Sequence, residues 1–298
     1  MNWLFFALLG PAIYVIINFI DKYIISRKIK DYSAMPIFGS ITGFVIGLLF
    51  WALSNYPILQ PFDALILILS GVFTIWGTVF YFKALSSEEA SNVVLFFQAI
   101  PLMVLVLSII FLHESLTTVQ GFGFLIILAA TTYALKKTGG ARFRLNKALI
   151  LVLIADAFWA VAAVLVTLAI NANSFTEILS YESWGIGVGG LILYLFFPKK
   201  RRAFHKTVQT AGLKIIFIVF VNEVIFVIAK SVTYYAYSLG PTAQVSVLGG
   251  TQVLFGVLYG WFLTKKFPKI FKEDIRRSTL IKKFILAIFT VFGILLIT

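Results

Sequence analysis

The stretch KKRRAFHKTVQTAGLK, residues 199–214, decides the fold. It carries Lys199, Lys200, Arg201, Arg202, Lys206 and Lys214 and stands between two long apolar runs, near 178–197 and 213–236. The same alternation extends outward along the whole chain. Basic residues gather at Lys22, Arg27, Lys28 and Lys30, at Lys83, at Lys136, Lys137, Arg142, Arg144 and Lys147, and from Lys265 to Lys283. The gaps between them, near 54–61, 113–117, 171–180 and 238–241, hold neither Lys nor Arg. Of the 25 basic residues, the single one outside this pattern is Lys230. Membrane proteins keep Lys and Arg in short cytoplasmic loops. The basic gaps are therefore expected in the cytoplasm and both termini outside, in a multi-pass protein of the inner or plasma membrane.

Composition points the same way. With 60% hydrophobic residues, 12% charged residues and 31 Phe among 298, the chain has too little polar surface for an ordinary soluble globule. A span of about 30 Å of hydrocarbon needs roughly 20 apolar residues in a helix. Ten runs qualify, near 3–20, 34–53, 62–82, 91–112, 116–135, 148–170, 178–197, 213–236, 241–264 and 280–297. The fold class expected is an all-α membrane protein of ten transmembrane helices. Continuous apolar runs exclude an outer-membrane barrel, which needs alternation. The first run lacks a basic flank and a small-residue cleavage site, so it reads as a retained helix.

The net charge of +13 sits in juxtamembrane gaps, where orientation and lipid headgroups account for it, so no nucleic-acid partner is expected. The absence of cysteine excludes disulfides and thiolate sites. His113 and His205 stand far apart, so neither a metal centre nor a catalytic residue is expected, and no cofactor beyond a coupled proton.

The two halves resemble each other. At a shift of 154 residues Phe80-Tyr81 falls on Tyr234-Tyr235, Leu85 on Leu239 and Gln98 on Gln252; at 145, Pro11, Tyr14 and Asn18 fall on Asp156, Trp159 and Ala163. Two five-helix repeats, 1–140 and 141–298, follow. An odd helix number makes the second copy enter from the opposite side, the inverted-repeat plan of many secondary transporters, with the substrate site at the midplane.

The stretch Ala84-Leu85-Ser86-Ser87-Glu88-Glu89-Ala90-Ser91, the helix through Gln98 and Pro101, and the ending His113-Glu114-Ser115-Leu116-Thr117 resemble the first-repeat signature of the EamA-like branch of the drug/metabolite transporter superfamily. That family's fourth helix typically ends in Gly-Glu-x-Leu-Thr, and here His113 takes the glycine place. The second repeat keeps Leu239-Gly240-Pro241-Thr242-Ala243 but has no acidic residue at its end. The resemblance implies carriage of small metabolites, commonly export of amino acids or related solutes, through a cavity lined by helices 1, 3, 4, 6, 8 and 9.

Ionisable groups inside a bilayer are functional candidates by default. Glu223 lies mid-way along its apolar run, and Lys230 follows two helical turns later on the same face, with Tyr234 one turn beyond. An acid, a cation and a phenol in order complement a zwitterion; the bland alternatives are a helix-joining acid and a lysine that snorkels or pairs with an acid on another helix. Asp156 stands early in its run, with Trp159 one turn on. Tyr14 and Asn18 share a stripe with Pro11, Trp76 one with Phe80, and Gln98 and Gln252 sit beside helix breakers in matching places. Glu88, Glu89 and Glu114 read as solvated helix ends, and Gly39, Gly43 and Gly47 as a packing stripe.

These ten residues, Tyr14, Asn18, Trp76, Gln98, Asp156, Trp159, Glu223, Lys230, Tyr234 and Gln252, form the expected substrate site. The expected partners are a small-molecule substrate and the lipid bilayer, the protein being a monomer or homodimer. A flippase for a lipid or lipid-linked headgroup is the rival transporter, and it requires a basic pocket for phosphate. An enzyme lacks the clustered groups that catalysis needs.

Overall fold

The computed structural model describes residues 3–29, 31–88, 90–97, 99–115, 117–138, 147–269, 271 and 277–297. The helices are α1 (Trp3–Arg27), α2 (Met35–Leu53, after a 3-10 turn Tyr32–Ala34), α3 (Pro61–Leu85), α4 (Ala90–Phe96), α5 (Ala99–Leu107), α6 (Thr118–Thr138) and α7 (Lys147–Ile170). They continue with α8 (Phe175–Phe196), α9 (Pro198–Thr210), α10 (Leu213–Tyr237), α11 (Thr242–Gly249), α12 (Gln252–Lys266) and α13 (Arg277–Ile297). Among the described residues there is no strand.

Among the described residues, seven segments are long and apolar enough to cross a membrane: Trp3–Ser26, Tyr32–Leu53, Pro61–Leu85, Lys147–Ile170, Phe175–Phe196, Leu213–Tyr237 and Thr242–Lys266. Their large outward side chains, such as Phe5, Leu49, Phe217 and Leu191, are exposed, as a hydrocarbon surround requires. The expected run at 91–112 is not one helix. It breaks between α4 and α5 and ends in a five-residue π turn, Ser108–Leu112. The run at 241–264 breaks between α11 and α12, just before Gln252.

Local chemistry sets the helix ends. Ser174 and Glu177 form a capping box that opens α8: the Glu177 amide donates to Ser174 Oγ at 3.4 Å and the Ser174 amide to Glu177 Oε2 at 2.6 Å. Thr117 and Gln120 do the same for α6, at 3.3 and 2.9 Å. Between the π turn and α6, His113 holds φ 55°, a left-handed conformation that glycine adopts freely. The turn carries Glu114 to α11, where its carboxylate accepts from the amides of Thr242 (3.2 Å) and Ala243 (3.3 Å). Glu114, expected as a solvated end, thus caps a helix 128 residues away. Its charge suits the positive end of the α11 dipole.

The basic stretch that follows α8 is itself a helix, α9, rather than a loop. Pro198 starts it, where a missing amide is harmless, and Ala203 and Thr207, one turn apart, are its buried face.

Packing joins the two halves pairwise: α3 lies on α7 and α8, α1 on α10, α2 on α8, and α6 on α13. Small residues permit the closest approaches. A Cβ built on Gly71 falls 2.0 Å from the Glu182 carbonyl oxygen, and one on Gly185 falls 2.1 Å from that of Ile68. Gly43 and Gly47 of the expected stripe meet Ile186 and Trp184 of α8, whereas Gly39 faces the carboxyl of Glu223. Lys22 belongs to this framework too: its ammonium donates to the carbonyls of Leu85 (2.7 Å) and Glu88 (2.5 Å), closing the end of α3.

Candidate functional site

Helical stripes from both halves enclose a cavity of about 210 Å³. On α1 the stripe is Ala7, Pro11, Tyr14, Asn18 and Asp21, spaced by three or four residues as one helix face demands. Pro11 has no amide to donate, so the helix loses its bond to the Ala7 carbonyl at the cavity wall. Opposite, α10 supplies Asn222, Glu223, Phe226, Lys230, Thr233, Tyr234 and Tyr237. Thr74, Thr78 and Tyr81 come from α3, Trp159 and Ala163 from α7, Gly39 and Gly43 from α2, and Ile186 from α8. The two broken segments add Phe97, Ile100 and Pro101 on one side and Ser246, Gly249 and Gln252 on the other.

Of the expected site residues, Tyr14, Asn18, Trp159, Glu223, Lys230, Tyr234 and Gln252 line this cavity. Gln98 lies outside the described residues. Trp76 and Asp156 are off this lining. The α3 face turned inward is that of Thr74, Thr78 and Tyr81; Trp76 is rotated away from it and its indole N–H donates to the Gly189 carbonyl of α8 at 3.4 Å. Asp156 is wholly buried on the flank of α7, about 60° from Trp159 around the helix, and its carboxyl has no hydrogen-bond partner among the described residues.

The polar groups gather at two poles. At the first, Lys230 pairs with Glu182 of α8, with side chains 2% and 0% exposed. Glu182 Oε1 also accepts from the Tyr234 hydroxyl at 3.2 Å and from Thr74 Oγ1 at 3.4 Å, and Lys230 reaches Ser183 Oγ at 3.3 Å. The topologically unexplained cation is therefore neutralised by an acid that hydropathy had hidden. Glu182 sits between Tyr181 and Ser183 close to the start of its apolar run, where a carboxylate reads as a helix-end residue.

At the second pole, two turns of α10 away or about 10 Å, Asn222 donates to Asp21 Oδ1 at 2.7 Å. The Tyr81 hydroxyl lies 2.9 Å from Asp21 Oδ2 and 3.0 Å from Asn18 Oδ1 and shares its proton between them. Asp21 was also missed, because beside Lys22 it resembles an interfacial charge pair. Glu223, next to Asn222, makes no hydrogen bond or ion pair with any described residue, and Asp21 is near enough for its charge to act on it. Trp159 closes the wall here: its indole N–H donates to the Thr74 carbonyl at 3.1 Å and its ring meets Phe97 edge-on at 5.4 Å and Tyr81 at 5.8 Å. Among the described residues no group of three or more His, Cys, Asp or Glu could hold a metal ion.

Residues 1–135 match the model of the EamA-like transporter family. No curated protein matches the chain. A protein of known crystal structure is similar at TM-score 0.63 and 17% identity, over 99% of this chain and 95% of its own, which is a likeness of fold across both halves.

Proposed function

From the premise that residues 1–135 are an EamA-like domain of the drug/metabolite transporter superfamily, we propose that this multi-pass membrane protein is a secondary transporter. It moves a small polar or amphipathic metabolite, such as an amino acid, outward by alternating access through the cavity. The observation that carries the reading is the cavity itself. It is enclosed by helices of both halves, its ionisable groups stand at membrane depth, and nothing structural requires them to face an open space. Its volume, about 210 Å³, is below the roughly 300–1,000 Å³ of drug-sized pockets and suits a small solute.

In this reading α4–α5, α6 and α13 are three further crossings, which makes ten in two inverted repeats, 1–140 and 141–298. The pairing of α3 on α7 with α10 on α1, and of two broken segments at matching places, supports it. Discontinuous helices at corresponding positions mark binding sites in such carriers. The basic gaps then face the cytoplasm and the termini lie outside, and no reaction is catalysed. A phosphate-bearing headgroup suits the cavity poorly, because Lys230 is the one basic residue among the described lining and Glu182 already neutralises it.

The test is reconstitution. Thermal-shift screening of the purified protein against amino acids, polyamines, nucleosides, sugar phosphates and lipid headgroups picks a ligand, and efflux of that ligand from proteoliposomes follows. Efflux lowered at least tenfold in Glu223→Gln supports the reading. Transfer of labelled phospholipid with no solute movement replaces it with the flippase.

A further inference from the structure

The charges of the cavity do not balance, and the imbalance specifies a ligand. Three carboxyls, Asp21, Glu182 and Glu223, stand at its wall or directly behind it, against the single ammonium of Lys230. Lys230 and Glu182 cancel each other. Lys230 is held by that pair and by Ser183, so it is not free to receive a substrate carboxylate. What remains is Asp21 with Glu223, an acidic pole without a counter-cation among the described residues.

That pole is also rich in unused acceptors. Asp21 has its two oxygens engaged by Asn222 and Tyr81, whereas Glu223 has no protein donor among the described residues and lines the cavity. On the preceding residue Asn222 Oδ1 is buried and unpartnered, and so is the amide donor Nδ2 of Asn18 on α1. The Glu223 carboxylate, on the cavity wall and lacking a donor among the described residues, presents what an N–H-bearing cation satisfies. Aromatic rings line the same cavity: Trp159, Phe97 and Tyr81 cluster where Tyr81 bonds Asp21, and Phe226, three residues along α10 from Glu223, meets Tyr14 at 5.9 Å. Aromatic faces attract cations and cover apolar carbon. A calcium or magnesium ion wants six or more oxygens at short range, and no group of three or more His, Cys, Asp or Glu among the described residues could hold a metal ion.

Resting on the transporter reading, we propose that the solute is an organic cation, a primary ammonium or guanidinium joined to an apolar or aromatic body. Its charged end lies at Glu223 and its body against Trp159 and Phe226. Lys230 with Glu182 then serves as a fixed neutral girder, and the zwitterion expected from the acid–cation–phenol order on α10 is disfavoured, since its carboxylate finds no unpaired cation.

The experiment compares three scaffolds, each in cationic, zwitterionic and anionic form: tyramine, tyrosine and 4-hydroxyphenylacetate; histamine, histidine and imidazole acetate; pentylamine, norleucine and hexanoate. Binding to purified protein is read by calorimetry and thermal shift. At least one amine is expected to bind ten times more tightly than its zwitterion and anion. Glu223→Gln is expected to erase that preference while leaving the ligand-free melting temperature within a few degrees, and Asp21→Asn to weaken it in the same direction. Tighter binding of zwitterions or anions, amine binding unchanged in Glu223→Gln, or no amine binding on any scaffold overturns the inference. The two readings fail separately. Efflux of a zwitterion or anion from proteoliposomes ends the cation inference and keeps the transporter, whereas an amine that binds through Glu223 but never crosses ends the transporter and keeps the cation site.

Discussion

Lys230 of α10 and Glu182 of α8, 48 residues apart, meet as an ion pair inside the helix bundle, and the hydroxyls of Tyr234 and Thr74 donate to the other oxygen of the acid. Removing one member of such a pair strands the other charge, at a loss of about 3–5 kcal/mol, whereas replacing both with neutral groups of similar size is often close to neutral. Lys230→Met and Glu182→Gln should each lower the melting temperature in detergent sharply, and the double variant should recover most of the loss. Additive losses would mean that the two side chains do not interact.

Gly71 and Gly185 let α3 and α8 touch backbone to backbone: a Cβ on either would stand 2.0 or 2.1 Å from a carbonyl oxygen of the facing helix. Backbone cannot retreat as a side chain does. Gly71→Ala is expected to destabilise by about 1–3 kcal/mol or more and, by displacing Glu182, to disturb the ion pair. Gly121→Ala in α6 meets nothing within 4 Å. It should raise the melting temperature slightly, since alanine is the better helix former by about 1 kcal/mol.

The Glu114 carboxylate satisfies two amides at the start of α11. Glu114→Ala leaves both without that acceptor and should cost about 1–2 kcal/mol, the scale of a lost helix cap. Glu114→Gln keeps an oxygen there and should fall between. Equal melting temperatures for all three proteins would show that the contact contributes nothing.

His113, one residue earlier, holds its left-handed backbone at a cost. A non-glycine side chain in that region is strained by about 1–2 kcal/mol, part of which glycine returns through its freer unfolded chain. His113→Gly is therefore expected to stabilise by up to about 1 kcal/mol in thermal unfolding. His113→Val, whose branched side chain suits that region worst, should destabilise.

At the acidic pole, Tyr81→Phe removes the hydroxyl that both Asp21 and Asn18 use. A buried acceptor left unsatisfied loses about 1–3 kcal/mol. The melting temperature should drop, and ligand affinity should fall with it because Asp21 loses its orientation. An unchanged affinity with a lowered melting temperature would confine Tyr81 to structure.

Legibility in the sequence followed physical scale. Hydropathy sums over twenty residues, so it located α1, α2, α3, α7, α8 and α10 closely. It passed over the breaks inside 91–112 and 241–264, where the apolar run continues although the helix does not. Period 3.6 placed Tyr14 with Asn18 and Glu223 with Lys230 on faces that do meet the cavity. It did not foretell that Trp76 and Asp156 fall off that lining, because a period gives a face but not the neighbour that the face turns toward. Asp21 and Glu182 escaped notice since both stand near the ends of their runs, where acids are ordinary.

What the sequence by itself determined is the solvent of each segment: the apolar runs, the alternating basic gaps and the lone intramembrane Lys230 all follow from which groups water or lipid tolerates, a property of each residue. Only the tertiary structure decided the charge state of the site. Lys230 could be an anion receptor or half of a closed pair, and the difference is whether α8, packed on α3 through Gly71 and Gly185, sets Glu182 within reach. Coulomb energy depends on separation in space, and 48 residues of chain carry no record of it.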